Sequence, residues 1–307
     1  MHLLVYLPLL FSGLFGLAAP VLGCRLPPAP ATWLLSAGSL LTAAASTAAL
    51  LLLGFTLVGQ TPLLATRGHW SSVALRHHNP VAAPVAVLAL TALTGLALGA
   101  GATVLGRWAA VRDAYRLAAE LPAHGGELAV IDSPDPAAYA VPGRPGRIVV
   151  TTGLLRRLDA GERRAVLTHE RSHLTHRHHL HQTVAHLAAA ANPLLRPLPA
   201  AVALACERWA DEDAARTTGR ATVADSLTRI ATAARSGATS AAVLAAATIE
   251  ITARVDALRG PAPRVTLWRV ALLLGLLAGT ALAVGAAAHD TEQLFELAQY
   301  AYSTAHR

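Results

Sequence analysis

Apolar positions gather in four long runs, three before and one after a stretch in which polar and apolar residues alternate over short distances. The runs are 3–22, 33–59, 81–106 and 270–288, and none contains Asp, Glu, Lys or Arg. At 1.5 Å per helical residue each can cross roughly 30 Å of hydrocarbon, so each predicts a transmembrane helix. Between the third and fourth runs, 107–121 keeps a helical period as it leaves the membrane. Short alternating segments at 127–132, 137–141 and 147–151 predict strands, set apart by Ser133-Pro134-Asp135-Pro136 and Pro142-Gly143-Arg144-Pro145-Gly146 turns. From Leu154 the period is helical again. Asp159 followed by Glu162 reads as a capping-box start for a helix running to about residue 179. The stretch 183–206 is apolar, but His186, Arg196 and three prolines argue against a fifth span. Residues 207–217 predict another helix and 222–258 one or two more, with Pro261-Ala262-Pro263 as the link to the last span. The expected division is a three-helix membrane region at 1–106, a polar domain at 107–264, a fourth transmembrane helix at 265–288 and a short tail at 289–307.

Charge sharpens this division. Residues 1–112 hold five Arg and no acid, whereas 113–264 hold 18 Arg and 15 of the 18 acids. Only 14% of the 307 residues are charged, against roughly 25% in ordinary globular chains. Mean hydropathy is +0.45, so the lipid bilayer is the expected surrounding. The net charge of +7 comes from Arg alone and never from runs longer than two, so no direct nucleic-acid binding is expected. Arg107, Arg112 and Arg116 follow the third span, and Arg254, Arg259, Arg264 and Arg269 lead into the fourth. The positive-inside rule then places the polar domain in the cytoplasm of a bacterial-type cell, under a multi-pass plasma membrane. Met1-His2 lacks the basic residue of a signal peptide, so the first run is read as a membrane helix. Cys24 and Cys206 lie far apart and imply no disulfide framework.

The chemistry concentrates in His169-Glu170-Arg171-Ser172-His173, an HExxH motif inside the helix that starts at Asp159. Spacing of four puts His169 and His173 on one face, where both imidazoles can reach one Zn²⁺ per chain. Glu170 lies beside such an ion, placed to act on water. A catalytic zinc needs a third protein ligand, and Glu207 is the candidate. Asp211, one turn further on, would accept the free N–H of a zinc-bound His. The alternative for this pair is a solvated acidic face, because Glu212 and Asp213 follow. His176, His178, His179, His181 and His186 are expected to form an exposed or headgroup-facing cluster.

With these residues in view, the chain resembles the gluzincin metallopeptidases, which combine HExxH with a downstream Glu-x-x-x-Asp helix. Ala138-Tyr139-Ala140-Val141-Pro142-Gly143 and Arg147 to Leu155 are similar to the strand pair that precedes HExxH in membrane members. The resemblance implies an α-helical membrane protein with four transmembrane helices and an α+β gluzincin-like zinc peptidase domain, mostly helical with a small β-sheet. HtpX-type proteases place two spans between HExxH and the third ligand. Here His173 and Glu207 are 34 residues apart, and Asn192-Pro193-Leu194 matches the short connection of the BlaR/MecR type. The 19 residues after the last span leave no room for that type's penicillin-binding sensor domain. The expected activity is hydrolysis of a protein substrate, such as cleavage of a transcriptional repressor. Quality-control proteolysis of membrane proteins and a non-catalytic metal-binding scaffold are the alternatives. Ala138, Tyr139 and Ala140 are expected to bind substrate as an added strand, so that Tyr139→Pro would impair cleavage without loss of zinc.

Overall fold

Each apolar run folds as one helix: it carries no charge, and Ser and Thr hydroxyls within it, such as those of Ser12, Ser36, Thr42 and Ser46, donate to carbonyls one turn back. In the computed structural model, which describes residues 4–79, 81–121, 126–235 and 251–306, these are α1 (Leu7–Gly23, after a 3-10 turn at Leu4–Tyr6), α2 (Pro28–Val58), α5 (Ala83–Glu120) and α12 (Leu267–Ala305). All four are long and apolar enough to cross a membrane. Two run past their predicted ends. The helical stretch at 107–121 continues α5 without a break, and the tail after residue 288 is the outer part of α12. Against that outer part pack α3 (Pro62–Gly68) and α4 (Ser72–His78), with Leu75 buried beside Leu294 and Ala298.

The polar domain sits at the opposite end of the bundle. There the Arg208 guanidinium donates to the Cys24 carbonyl at 2.5 Å and Arg269 donates to the Arg25 carbonyl at 3.1 Å. Trp33, Trp108 and Trp268 are exposed at this same end, as an aromatic belt at a membrane interface would be.

Three strands, β1 (Leu128–Ile131), β2 (Ala138–Val141) and β3 (Arg147–Thr151), form a sheet in the order β1-β3-β2. β1 is parallel to β3 and β2 antiparallel to it, leaving β2 as an edge. Alternation sends Ile148 and Val150 to one face, against Leu154, Leu158 and Val166, and Val149 to the other, against Ala118 of α5. The short α6 (Thr152–Arg157) leads into α7 (Ala160–Thr175), which opens on the predicted capping box: Asp159 accepts from the Glu162 N–H and Glu162 from the Asp159 N–H. Helices α10 (Arg220–Arg235) and α11 (251–259) pack behind α7 and α9. Of the helices predicted over 222–258, the part at 236–250 lies outside the described residues.

Two predicted boundaries are corrected. The helix of the HExxH motif stops at Thr175, because Arg177 takes a left-handed conformation (φ 51°) and turns the chain into a new helix, α8 (His178–Ala191). The helix expected at 207–217 is the second half of α9 (Leu198–Thr218). Between them, 183–206 is neither a span nor a surface segment. It forms a helix-turn-helix pushed into the bundle, its tip a 3-10 turn at Pro193–Leu195. Asn192 accepts from the Leu194 N–H and donates to Ser46, whose hydroxyl lies 2.5 Å from that of Ser12. Ser46 stands about 27 Å along α2 at 1.5 Å per residue. Gly16 of α1 lies directly on the Leu194 backbone, where a Cβ would overlap the carbonyl. Phe15, Leu35, Ala185, Leu195, Leu198 and Leu273 close a shared core around this hairpin.

Candidate metal centre

The site is made where α7 crosses α9. On α7, His169 and His173 are one turn apart; on α9, Glu207 and Asp211 are one turn apart and face them. His169 Nε2 lies 3.2 Å from His173 Nε2 and 3.4 Å from Glu207 Oε2, and His173 Nε2 lies 3.4 Å from Glu207 Oε1. Two imidazole nitrogens so close beside a carboxylate are bridged by a shared proton or by a metal ion. The spacing fits a metal: tetrahedral donors about 2.05 Å from a zinc ion stand about 3.3 Å apart. Among the described residues these three form the one such cluster of His, Cys, Asp or Glu.

Outer partners orient these three side chains. His169 Nδ1 lies 3.0 Å from Asp211 Oδ1, so Asp211 accepts its N–H and leaves Nε2 turned to Glu207. Asp211 is buried and is held in turn by Arg254, whose Nε and Nη2 donate to its two oxygens at 2.8 and 2.7 Å, while Nη1 lies 3.0 Å from Glu207 Oε2. Burial pushes the carboxyls of Asp211 and Glu207 up. The bonds from Arg254 and His169 outweigh it, holding Asp211 below the usual range and Glu207 at about 2. Burial likewise lowers His169, but Asp211 and Glu207 more than reverse it and raise the imidazole to about 9. His173, without such a carboxylate on its Nδ1, is lowered by burial to about 4. Glu170 is raised, chiefly by burial, and its carboxylate accepts the Ala140 N–H. A raised carboxylate in contact with the edge strand suits a proton carrier at neutral pH.

His178 is a partner the sequence reading missed. It is buried, and its Nδ1 lies 2.9 Å from His173 Nδ1, so one N–H is shared between the rings. Burial holds His178 neutral, at about 3. Where the His173 Nε2 lone pair is given to a metal, the ring proton sits on Nδ1, so that His173 donates and His178 accepts. The expected exposed histidine cluster is thus corrected at two positions: His178 stands under the ligand, and His181 is buried with its Nδ1 2.8 Å from Ser36 Oγ. Nor is the acidic run a solvated face. Glu212 pairs with Arg220, and Asp213 accepts from Ser172 and Arg216 and lies 2.9 Å from His176 Nε2. Arg254 was also missed, since in sequence it reads only as one Arg among those before the last span. Arg208, a possible partner for the reacting carbonyl, points away to Cys24.

On the edge strand, Ala137 exchanges hydrogen bonds with Thr151, so 137, 139 and 141 face β3 and the main chain of 138 and 140 faces outward. The backbone groups that face outward thus belong to Ala138 and Ala140; the Ala140 N–H is taken by Glu170, and among the described residues the others stay open to a guest strand. Tyr139 presents only its exposed ring.

Residues 109–235 match peptidase family M48. No curated protein and no solved structure matches the chain. The match spans the sheet, the HExxH helix and the helix of Glu207. With the four apolar helices it supports a membrane-associated metallopeptidase.

Proposed function

We propose that the protein is a membrane-embedded zinc endopeptidase that hydrolyses a protein substrate at the cytoplasmic face. The observation that carries this is the convergence of His169, His173 and Glu207 beside an edge strand whose outer side is met by a raised Glu170. The two imidazoles and the carboxylate would hold the ion, Asp211 and His178 would fix the imidazoles, and Arg254 would fix Asp211 and Glu207. When bound, zinc brings the pKa of a water towards ~7 and polarises the scissile carbonyl. Ala138 and Ala140 align the substrate main chain. Glu170 takes a proton from the attacking water and passes it to the leaving amine. The short Asn192-Pro193 connection, through its likeness to the BlaR/MecR type, favours regulatory cleavage, a repressor being the simplest substrate of that kind.

The test is metal content and cleavage on the detergent-purified protein. About one zinc per chain is expected, lost or much weakened in Glu207→Ala. Glu170→Gln is expected to keep zinc and to lower cleavage by roughly 10²- to 10⁴-fold. A wild-type protein that takes up no metal would leave only a scaffold reading.

A further inference from the structure

The two ends of the cleft at Glu170 differ. On the Ala138 side it closes in a pocket of about 180 Å³ walled by Leu154, Val166, Val223, Leu227 and Ile230. On the Ala140 side it widens to about 240 Å³ over His173, His179 and Gln182. From there, across Pro142, Leu174 and His179, it adjoins a cavity of about 460 Å³ under the 142–146 turn. That cavity shares Thr175, Arg177 and Leu180 with a fourth, of about 560 Å³ and mostly apolar, whose far wall is Trp33 and Leu40 of α2. Both are exposed on a helix long enough to span the membrane. The trench therefore runs from the reacting centre to a lipid-facing wall. The distance is short: His173 touches His178, and His181, one turn along α8, packs its ring 4.6 Å from that of Trp33.

Strand direction gives the trench a polarity. β2 runs from Ala138, at the closed pocket, to Val141, beside the trench. A guest strand added antiparallel, the more stable pairing per residue, runs the other way. Its residues before the scissile bond then lie in the trench and those after it at the closed pocket. We propose that the preferred substrate is a membrane-anchored chain whose anchor precedes the cleaved bond. The anchor lies against Trp33 and Leu40, and the chain climbs past Leu180 and Leu174 to Glu170. On the order of 5–10 extended residues at ~3.3 Å each cover that path. The inference rests on the peptidase reading of the site and, in place of the freely diffusing repressor that the Asn192-Pro193 likeness favours, makes its substrate tethered.

One cleavable cassette distinguishes the cases, presented to the zinc-loaded, full-length protein in proteoliposomes in three forms: free, with a transmembrane segment before it, or with the same segment after it. Glu170-dependent cleavage of the free cassette in detergent tests the peptidase reading alone, and its absence would remove that reading. Given that cleavage, the form anchored before the cassette is expected to be cut at least about tenfold faster than either other form, because tethering raises its effective concentration at the trench. Lengthening the spacer well beyond about ten residues is expected to erode that advantage. Equal rates for all three forms, or a preference for the anchor placed after the cassette, would overturn the proposal. Leu180→Glu, on an exposed position, is expected to narrow the anchored-to-free ratio; an unchanged ratio would take the substrate off this path.

Discussion

At the scale of single residues, the His169 proton and the His178 ring decide how the site takes up metal. In the metal-free protein His169 titrates at about 9, so at pH 7 its imidazole holds a proton that an incoming ion must displace. His173 titrates at about 4 and Glu207 at about 2, so neither adds a second. Zinc affinity is therefore expected to rise with pH up to about 9, with about one proton released per ion near neutrality. Calorimetry in buffers of different ionisation heats reads that count, and zero release would mean Asp211 does not hold His169 charged. His178→Ala removes the acceptor for the His173 N–H and is expected to weaken zinc about 10- to 100-fold in a chelator competition. His178→Asn, which can return an oxygen to that place, should recover part of the loss. HExxH, Glu207 and Asp211 were legible because helical spacing of four is a local rule. His178 was not, since its approach depends on one left-handed residue, Arg177, that breaks the helical count. Arg254 comes from a helix whose packing no local pattern announces.

At the scale of elements, the hairpin of α8 and α9 and the edge strand invite separate tests. Asn192 both caps the 3-10 turn and bonds Ser46. Asn192→Leu takes the acceptor from the Leu194 N–H and one of three partners from Ser46, so a loss of about 1–3 kcal/mol is expected, read as a lower Tm in detergent. The edge strand refines the choice of proline. Tyr139→Pro would strike the ladder to β3 and disturb the sheet. Ala138→Pro removes an N–H from the open edge, where proline is tolerated, and is expected to slow cleavage with zinc retained; unchanged rates would argue against strand addition. The four spans, the turn-bounded strands and the α7 cap could be read from runs and spacing. The hairpin could not, because 183–206 is too polar for a span and too apolar for a surface. Only the Ser12 and Ser46 hydroxyls, more than a hundred residues away in sequence, make its depth tolerable.

For the whole molecule, side and burial are linked through the two cysteines. Cys24 is exposed in the turn that receives Arg208, at the same end as the peptidase domain, whereas Cys206 is buried and its thiol is pushed up to about 12 by burial. If that end is cytoplasmic, a membrane-impermeant maleimide should leave intact cells unlabelled and modify one thiol, Cys24, once the membrane is opened. Labelling of intact cells would reverse the orientation.

The hairpin also ties the candidate site to the membrane core. His169 and His173 stand on a helix of the polar domain, but Glu207 is carried on the arm that rises out of the bundle, seated by Gly16, Ser46 and Leu273. The place of the third donor thus depends on the packing of the membrane core as well as on α7. The segment 107–264 produced without its spans is accordingly expected to bind zinc far more weakly than the full chain. A wrongly inserted chain would then hold two of the three donors and lack the third.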